Sequence, residues 1–92
     1  MKLWIETDLK NNGSITLYCV ETDNISRINL EKRKDNTYEV SVRVYSDHVD
    51  NVAFQINTEN IYVARSAYCR IKQSLLLKRD LVDLKSESFR GI

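Results

Sequence analysis

The chain has 92 residues, of which 42% are apolar and 29% charged, with a formal net charge of +1. That length fits one domain over residues 1–92, because a second would be too short to bury its own core. The apolar content is too high for intrinsic disorder, and no apolar stretch approaches the ~18 residues a membrane span needs. A charge near zero gives no overall attraction to nucleic acid or to a membrane.

Proline is absent, and Gly13 and Gly91 are the only glycines. Turns therefore fall to Asn and Asp, which accept left-handed backbone angles. The start of the chain meets Lys2 and Glu6 early and reads as lacking a signal peptide. With two cysteines, Cys19 and Cys69, this suggests a reducing, cytoplasmic setting in which both thiols stay free.

Residues 2–9, with Leu3, Trp4 and Ile5, read as a first strand. Asn11-Asn12-Gly13 predicts a hairpin turn, since Asn-Gly accepts positive φ at both positions. The strand that follows, 14–21, alternates, and Ile15, Leu17 and Cys19 are expected to face the core. Thr16, Tyr18 and Val20 then take the other side. Asp23-Asn24 makes a turn. Residues 25–32 set Ile28 and Leu30 against Arg27, Asn29 and Glu31, a half-buried strand. After a turn at Lys34-Asp35-Asn36, Tyr38, Val40, Val42 and Val44 recur at period two, which leaves little room for helix. Residues 47–51 read as a loop and 52–57 as a fifth strand.

The last third changes period. Thr58 is the expected helix cap and Glu59 suits a first turn. Ile61, Ala64, Tyr68, Ile71, Leu75 and Val82 then follow a three-four spacing, although Ile61-Tyr62-Val63 is locally β-prone. Leu77, Leu81 and Leu84 fall on the opposite side of that helix. Either the helix breaks near Lys78-Arg79-Asp80, or these leucines mediate self-association into a homodimer. The tail, about 86–92, reads as frayed. An apolar sheet face needs a cover and an amphipathic helix needs a floor. The predicted fold is therefore α+β: an antiparallel meander of four or five strands packed in two layers against a long C-terminal helix.

Few catalytic parts are present. His48 is the only histidine, so no histidine relay forms within the chain, and Asp47, His48 and Asp50 read as a solvated turn rather than a metal site. Cys19 reads as a core residue, and Cys69, beside Arg70, lacks a neighbouring base. Two glycines cannot build a phosphate-binding loop. The reading is a protein that is not an enzyme and needs no cofactor or metal.

What remains is binding. Tyr18, Arg43 and Tyr45 would lie on the polar side of the sheet, and Tyr and Arg are frequent interface anchors. Five basic residues and no acid lie between Arg65 and Arg79, and Arg65, Lys72 and Arg79 recur every seventh position as a helical stripe that would favour an acidic partner surface. The leading expectation is a small regulatory or inhibitory protein that covers a macromolecular partner's surface, most simply a protein's. Lone domains of this size are common among phage and mobile-element accessory proteins, an association by size alone. The alternative is a nucleic-acid-binding module that joins the stripe to Lys32, Arg33 and Lys34 at a hairpin tip.

Overall fold

The computed structural model describes residues 1–10 and 13–92. Strand β1, Lys2–Thr7, buries Leu3, Ile5 and Thr7. It ends where the Thr7 hydroxyl donates to the Leu84 carbonyl at 2.9 Å and accepts the Leu9 N–H at 3.1 Å, which turns the chain two residues before the predicted end. Strand β2, Thr16–Glu21, pairs antiparallel with β1 as expected. The Asn11-Asn12 part of the predicted turn lies outside the described residues; Gly13 has a φ of +83°.

The face assigned to β2 is inverted. Its register sets Val20 beside Leu3 and Tyr18 beside Ile5, so Thr16, Tyr18 and Val20 point inward and Ile15, Leu17 and Cys19 point to solvent. Both sides of this strand carry apolar groups. The choice is made by pairing register, in which one residue of slip exchanges the two faces.

After a 3-10 turn at Thr22–Asn24, strands β3 (Ile25–Lys32), β4 (Tyr38–Ser46) and β5 (Val49–Thr58) form an antiparallel meander. The β3–β4 turn is held by Asp35, whose carboxylate accepts from the Thr37 N–H and hydroxyl. The predicted loop at 47–51 contracts to Asp47 and His48, both at positive φ (51° and 64°). That is the conformation of the tightest hairpin turns, and it lets β5 begin at Val49. Register slips at Arg43 leave Ser26 on β3 and Ala53 on β5 as extra residues, a pair of bulges that sharpens the local twist.

Helix α1 runs from Ile61 to Leu76, so helix prevails over strand at 61–63. Its cap is Asn60 rather than Thr58: the Asn60 side chain accepts the Tyr62 and Val63 N–H groups at 2.8 and 3.4 Å, and Thr58 supports the cap by accepting the Asn60 N–H. The helix stops earlier than its apolar spacing implies. Lys78 adopts a left-handed φ of 54°, the Arg79 N–H bonds to Ser74 O at 2.8 Å, and the Lys78 N–H bonds to Leu75 O at 3.3 Å. This is a Schellman ending with lysine where glycine is usual.

Beyond that turn, Leu81–Leu84 form strand β6, parallel to β1, with Val82 beside Ile5. Val82 is therefore buried as predicted, but from a strand. The six strands found among the described residues form two three-stranded sheets, ordered β2-β1-β6 and β3-β4-β5. Their inner faces and the helix share one cluster that includes Leu3, Ile5, Val40, Val42, Phe54, Ile56, Ala64 and Ile71. The fold is α+β, with two small sheets packed against the C-terminal helix where a single meander was predicted. The tail is also docked: a 3-10 turn at Ser86–Phe89 places Phe89 in the core at 5% exposure.

Replacing Asn60 with Ala removes the acceptor for two helix-end amides and is expected to lower stability by about 1 kcal/mol. Lys78→Gly relieves the left-handed residue and is expected to raise it by about 0.5–1 kcal/mol. Chemical denaturation of the two variants checks both signs.

Candidate docking surface

Inversion of β2 creates a surface that the predicted core placement hid. On the outer face of the first sheet, Trp4 stands opposite Cys19 on one side and opposite Leu81 on the other. One apolar row therefore crosses all three strands. Leu17 and Ile15 extend it along β2. Exposure is 39% for Trp4, 50% for Leu17, 54% for Leu81 and 64% for Ile15. These side chains contribute little to the core, and water meets them directly.

Charged groups flank the row on both sides along the strands. On one side, Lys2 is opposite Glu21, whose carboxylate is taken by the Met1 ammonium at 3.0 Å. On the other, the Lys85 ammonium bridges Glu6 and Asp83. The bond to Glu6 is the main reason the Lys85 ammonium holds its proton more tightly than an ordinary lysine. Lys85 itself is steadied by the tail: Ser86 donates from its N–H and hydroxyl to Asp8 at 2.7 and 2.9 Å, bonds that push the Asp8 carboxyl below its ordinary value.

The residues predicted for partner binding are dispersed. Tyr18 leaves the polar side and lies half-buried between the sheets, its ring edge-on to Phe54 at 5.3 Å. Arg43 does lie on the outer face of the second sheet, where its Nε donates to Asp50 at 3.0 Å. Tyr45, on the same strand, is 52% exposed. Arg65 and Lys72 are exposed on α1, but Arg79 lies beyond the helix end. The seven-residue stripe therefore stops at Lys72. Lys32, Arg33 and Lys34 are exposed at the β3–β4 turn, with Arg33 paired to Glu39 at 3.2 Å.

Arg70, which counts towards the basic run, serves the interior. Its guanidinium donates to Asp83 O, Ser88 Oγ and Ser88 O and stacks 4.1 Å from the Phe89 ring centre. The three leucines assigned to self-association do not share a surface. Leu77 is exposed in the turn, Leu81 is exposed on the outer sheet face, and Leu84 is fully buried because β6 alternates. Cys19, expected in the core, is exposed, as is Cys69, and both are free thiols.

Among the described residues, no three His, Cys, Asp or Glu side chains gather as a metal site. A groove of about 510 Å³ runs along β5 from Val52 to Asn57 beside Leu9 and Lys10, and Lys10 is its only titratable lining residue. No described helix is long and apolar enough to cross a membrane. Compared with known proteins, the chain matches no family model, no curated protein and no solved structure.

The shared outer face of Trp4 and Leu17 was not anticipated, because Leu17 is expected in the core and Trp4 enters only as an aromatic able to stack on bases if exposed. The available signal was the presence of apolar residues on both sides of β1 and β2, which marks a strand with two buried faces or one face awaiting a cover.

The Asp50 carboxyl is held below its ordinary value of 3.8, first by Arg43 and then by Ser26. Its folded pKa is depressed, so its contribution to stability is present above the unfolded value and lost as pH falls through the folded one. Arg43→Ala is expected to return the Asp50 midpoint upward towards the ordinary value, read by carboxyl-carbon NMR titration.

Proposed function

We propose that this chain is a small, non-enzymatic regulatory or inhibitory protein that works by docking onto a protein surface. The observation that supports this is the exposed row of Cys19, Trp4 and Leu81 with Leu17 beside it, in register across one sheet face. Uncovered apolar groups of this size on adjacent strands mark interaction sites, and tryptophan is the residue most often found at energetic centres of interfaces. Two free, exposed thiols fit a reducing, cytoplasmic setting.

The second sheet and the helix offer a different chemistry. Arg65, Lys72, Arg79, Lys32 and Lys34 are exposed, and none of them enters the ion pairs found among the described residues. That favours a second reading, contact with a nucleic-acid backbone. Its test is retention on heparin and on short RNA or DNA. The Arg65→Glu, Lys72→Glu double variant elutes at clearly lower salt if the reading holds, and unchanged elution ends it.

For the docking reading, Leu17→Lys with Leu81→Lys places charge on the face while disturbing no buried contact. Stability is expected to stay within about 0.5 kcal/mol of the parent at each site. Purified with a tag from its own host, the parent chain is expected to bring a stoichiometric partner that the double variant loses. If parent and variant co-purify with the same proteins, or with none, the face is not a docking site.

A further inference from the structure

We infer that the open edge of β5 is a second interaction site, where an extended segment of a partner protein, carrying an acidic residue, adds to the sheet as a further strand. The site is the groove along β5 from Val52 to Asn57. It belongs to the second sheet, and it stands or falls independently of the docking reading for the Trp4 row.

The backbone of β5 selects a strand as the occupant. Across the β3–β4 turn the Arg33 N–H donates to the Thr37 carbonyl at 2.8 Å, so these two residues form a hydrogen-bonded pair. Bonded and non-bonded pairs alternate along antiparallel strands. Glu39 therefore bonds toward β3, while Tyr38, Val40 and Val42 bond toward β5, where their partners are Thr58, Ile56 and Phe54. Gln55 and Asn57 lie between those partners and direct their N–H and C=O groups away from β4. Strand β5 ends its sheet, and among the described residues no other segment makes a backbone bond to either residue. An extended chain supplies the matching donors and acceptors at the same spacing.

This edge also lacks the usual protection. Strand β3 carries Arg27, Glu31 and Lys32. Strand β6 has four residues, and Arg70 takes its Asp83 carbonyl at 3.0 Å. Short length and charge are common means of blunting an edge. Strand β5 is ten residues long, and from Asn51 to Thr58 it holds no charge and no proline. The groove beside it, about 510 Å³, follows six of its residues, roughly 17–20 Å of strand.

Charge narrows the occupant further. On the groove wall the Lys10 ammonium lies 5.1 Å from the Tyr18 ring centre and 5.7 Å from that of Phe54. It enters none of the ion pairs found among the described residues. A strand laid in the groove withdraws this ammonium from water, so a carboxylate on that strand offsets the cost. The β5 strand of a second copy has no acid between Asn51 and Thr58 to offer, which disfavours edge-to-edge pairing of two copies.

The probe is a random library of short peptides, selected on the immobilised full chain. Enriched peptides are expected to be β-prone and to share an Asp or Glu. In NMR hydrogen exchange their binding is expected to protect the Gln55 and Asn57 amides. Methylating the peptide nitrogens one at a time is expected to weaken binding about tenfold at every second residue and little in between. Lys10→Glu is expected to weaken binding about fivefold, and lysine in place of the peptide's acid to restore it. Gln55→Pro closes the edge and is expected to abolish binding, with far-UV circular dichroism checking the fold. The methylation series needs no variant of the protein.

A library without binders, binders that leave both amides unprotected, or a methylation series without alternation overturns the inference. So does affinity indifferent to Lys10→Glu, which removes the acidic occupant. Self-association that protects Gln55 and Asn57 also overturns it, since the occupant is then a second copy. The Trp4 row is decided separately, by co-purification with the Leu17→Lys, Leu81→Lys variant.

Discussion

The register between β1 and β2, with Leu3 against Val20 and Ile5 against Tyr18, decides which half of the β2 apolar residues enters the core. In this register the Tyr18 ring reaches Phe54 on the second sheet and helps to join the two layers. The same choice leaves Ile15, Leu17 and Cys19 outside. Core packing and the exposed row are therefore two results of one constraint. A slip of one residue would replace Tyr18 and Val20 inside with Leu17 and Cys19, and the Tyr18–Phe54 contact could not form.

Closing the first sheet requires the last strand. β6 pairs parallel with β1 from the far end of the chain, and a parallel partner needs a crossover. Here α1 and the turn at Lys78 provide it, after the chain has left the second sheet. Groups distant in sequence then fasten the seam: Thr7 to Leu84 O, Trp4 N–H to Asp80 O, Asp8 to Ser86 and Glu6 to Lys85. Arg70 secures the other side of the same segment through Asp83, Ser88 and Phe89. The outer row containing Leu81 thus exists only when the C-terminal segment is docked.

How far the fold could be read from the residues depended on local chemistry. The meander of β3, β4 and β5 is legible because Tyr38, Val40, Val42 and Val44 alternate cleanly against polar neighbours, which leaves a single choice of face. β2 lacks that contrast, so its facing stayed with register, a tertiary property. The helix N-terminus was misplaced by two residues because Thr58 and Asn60 are both capable caps and both are used. Its C-terminus carried no glycine to announce it. Lys78 takes the left-handed position, and Val82 imitated helical spacing while belonging to a strand. Leu84 was misjudged for the same reason: on a strand, alternation sends it inward beside Thr7. Tail docking depends on Phe89 and on an arginine that sequence alone assigns to solvent.

The two outer sheet faces of the same molecule differ in how apolar and charged groups are arranged. On the second sheet, exposed Tyr45 and Val52 are interleaved with polar groups that are largely satisfied: Arg43 with Asp50, Ser26 with Asp50, and Arg33 with Glu39. On the first sheet the outward centre is Cys19, Trp4 and Leu81 in one row, with Leu17 beside Glu6 and the Glu6–Lys85–Asp83 cluster on one side of it. Strand pairing does not account for those side chains, since each could be polar without removing a backbone bond. Folding alone leaves their apolar character unexplained, whereas burial against another surface uses it fully.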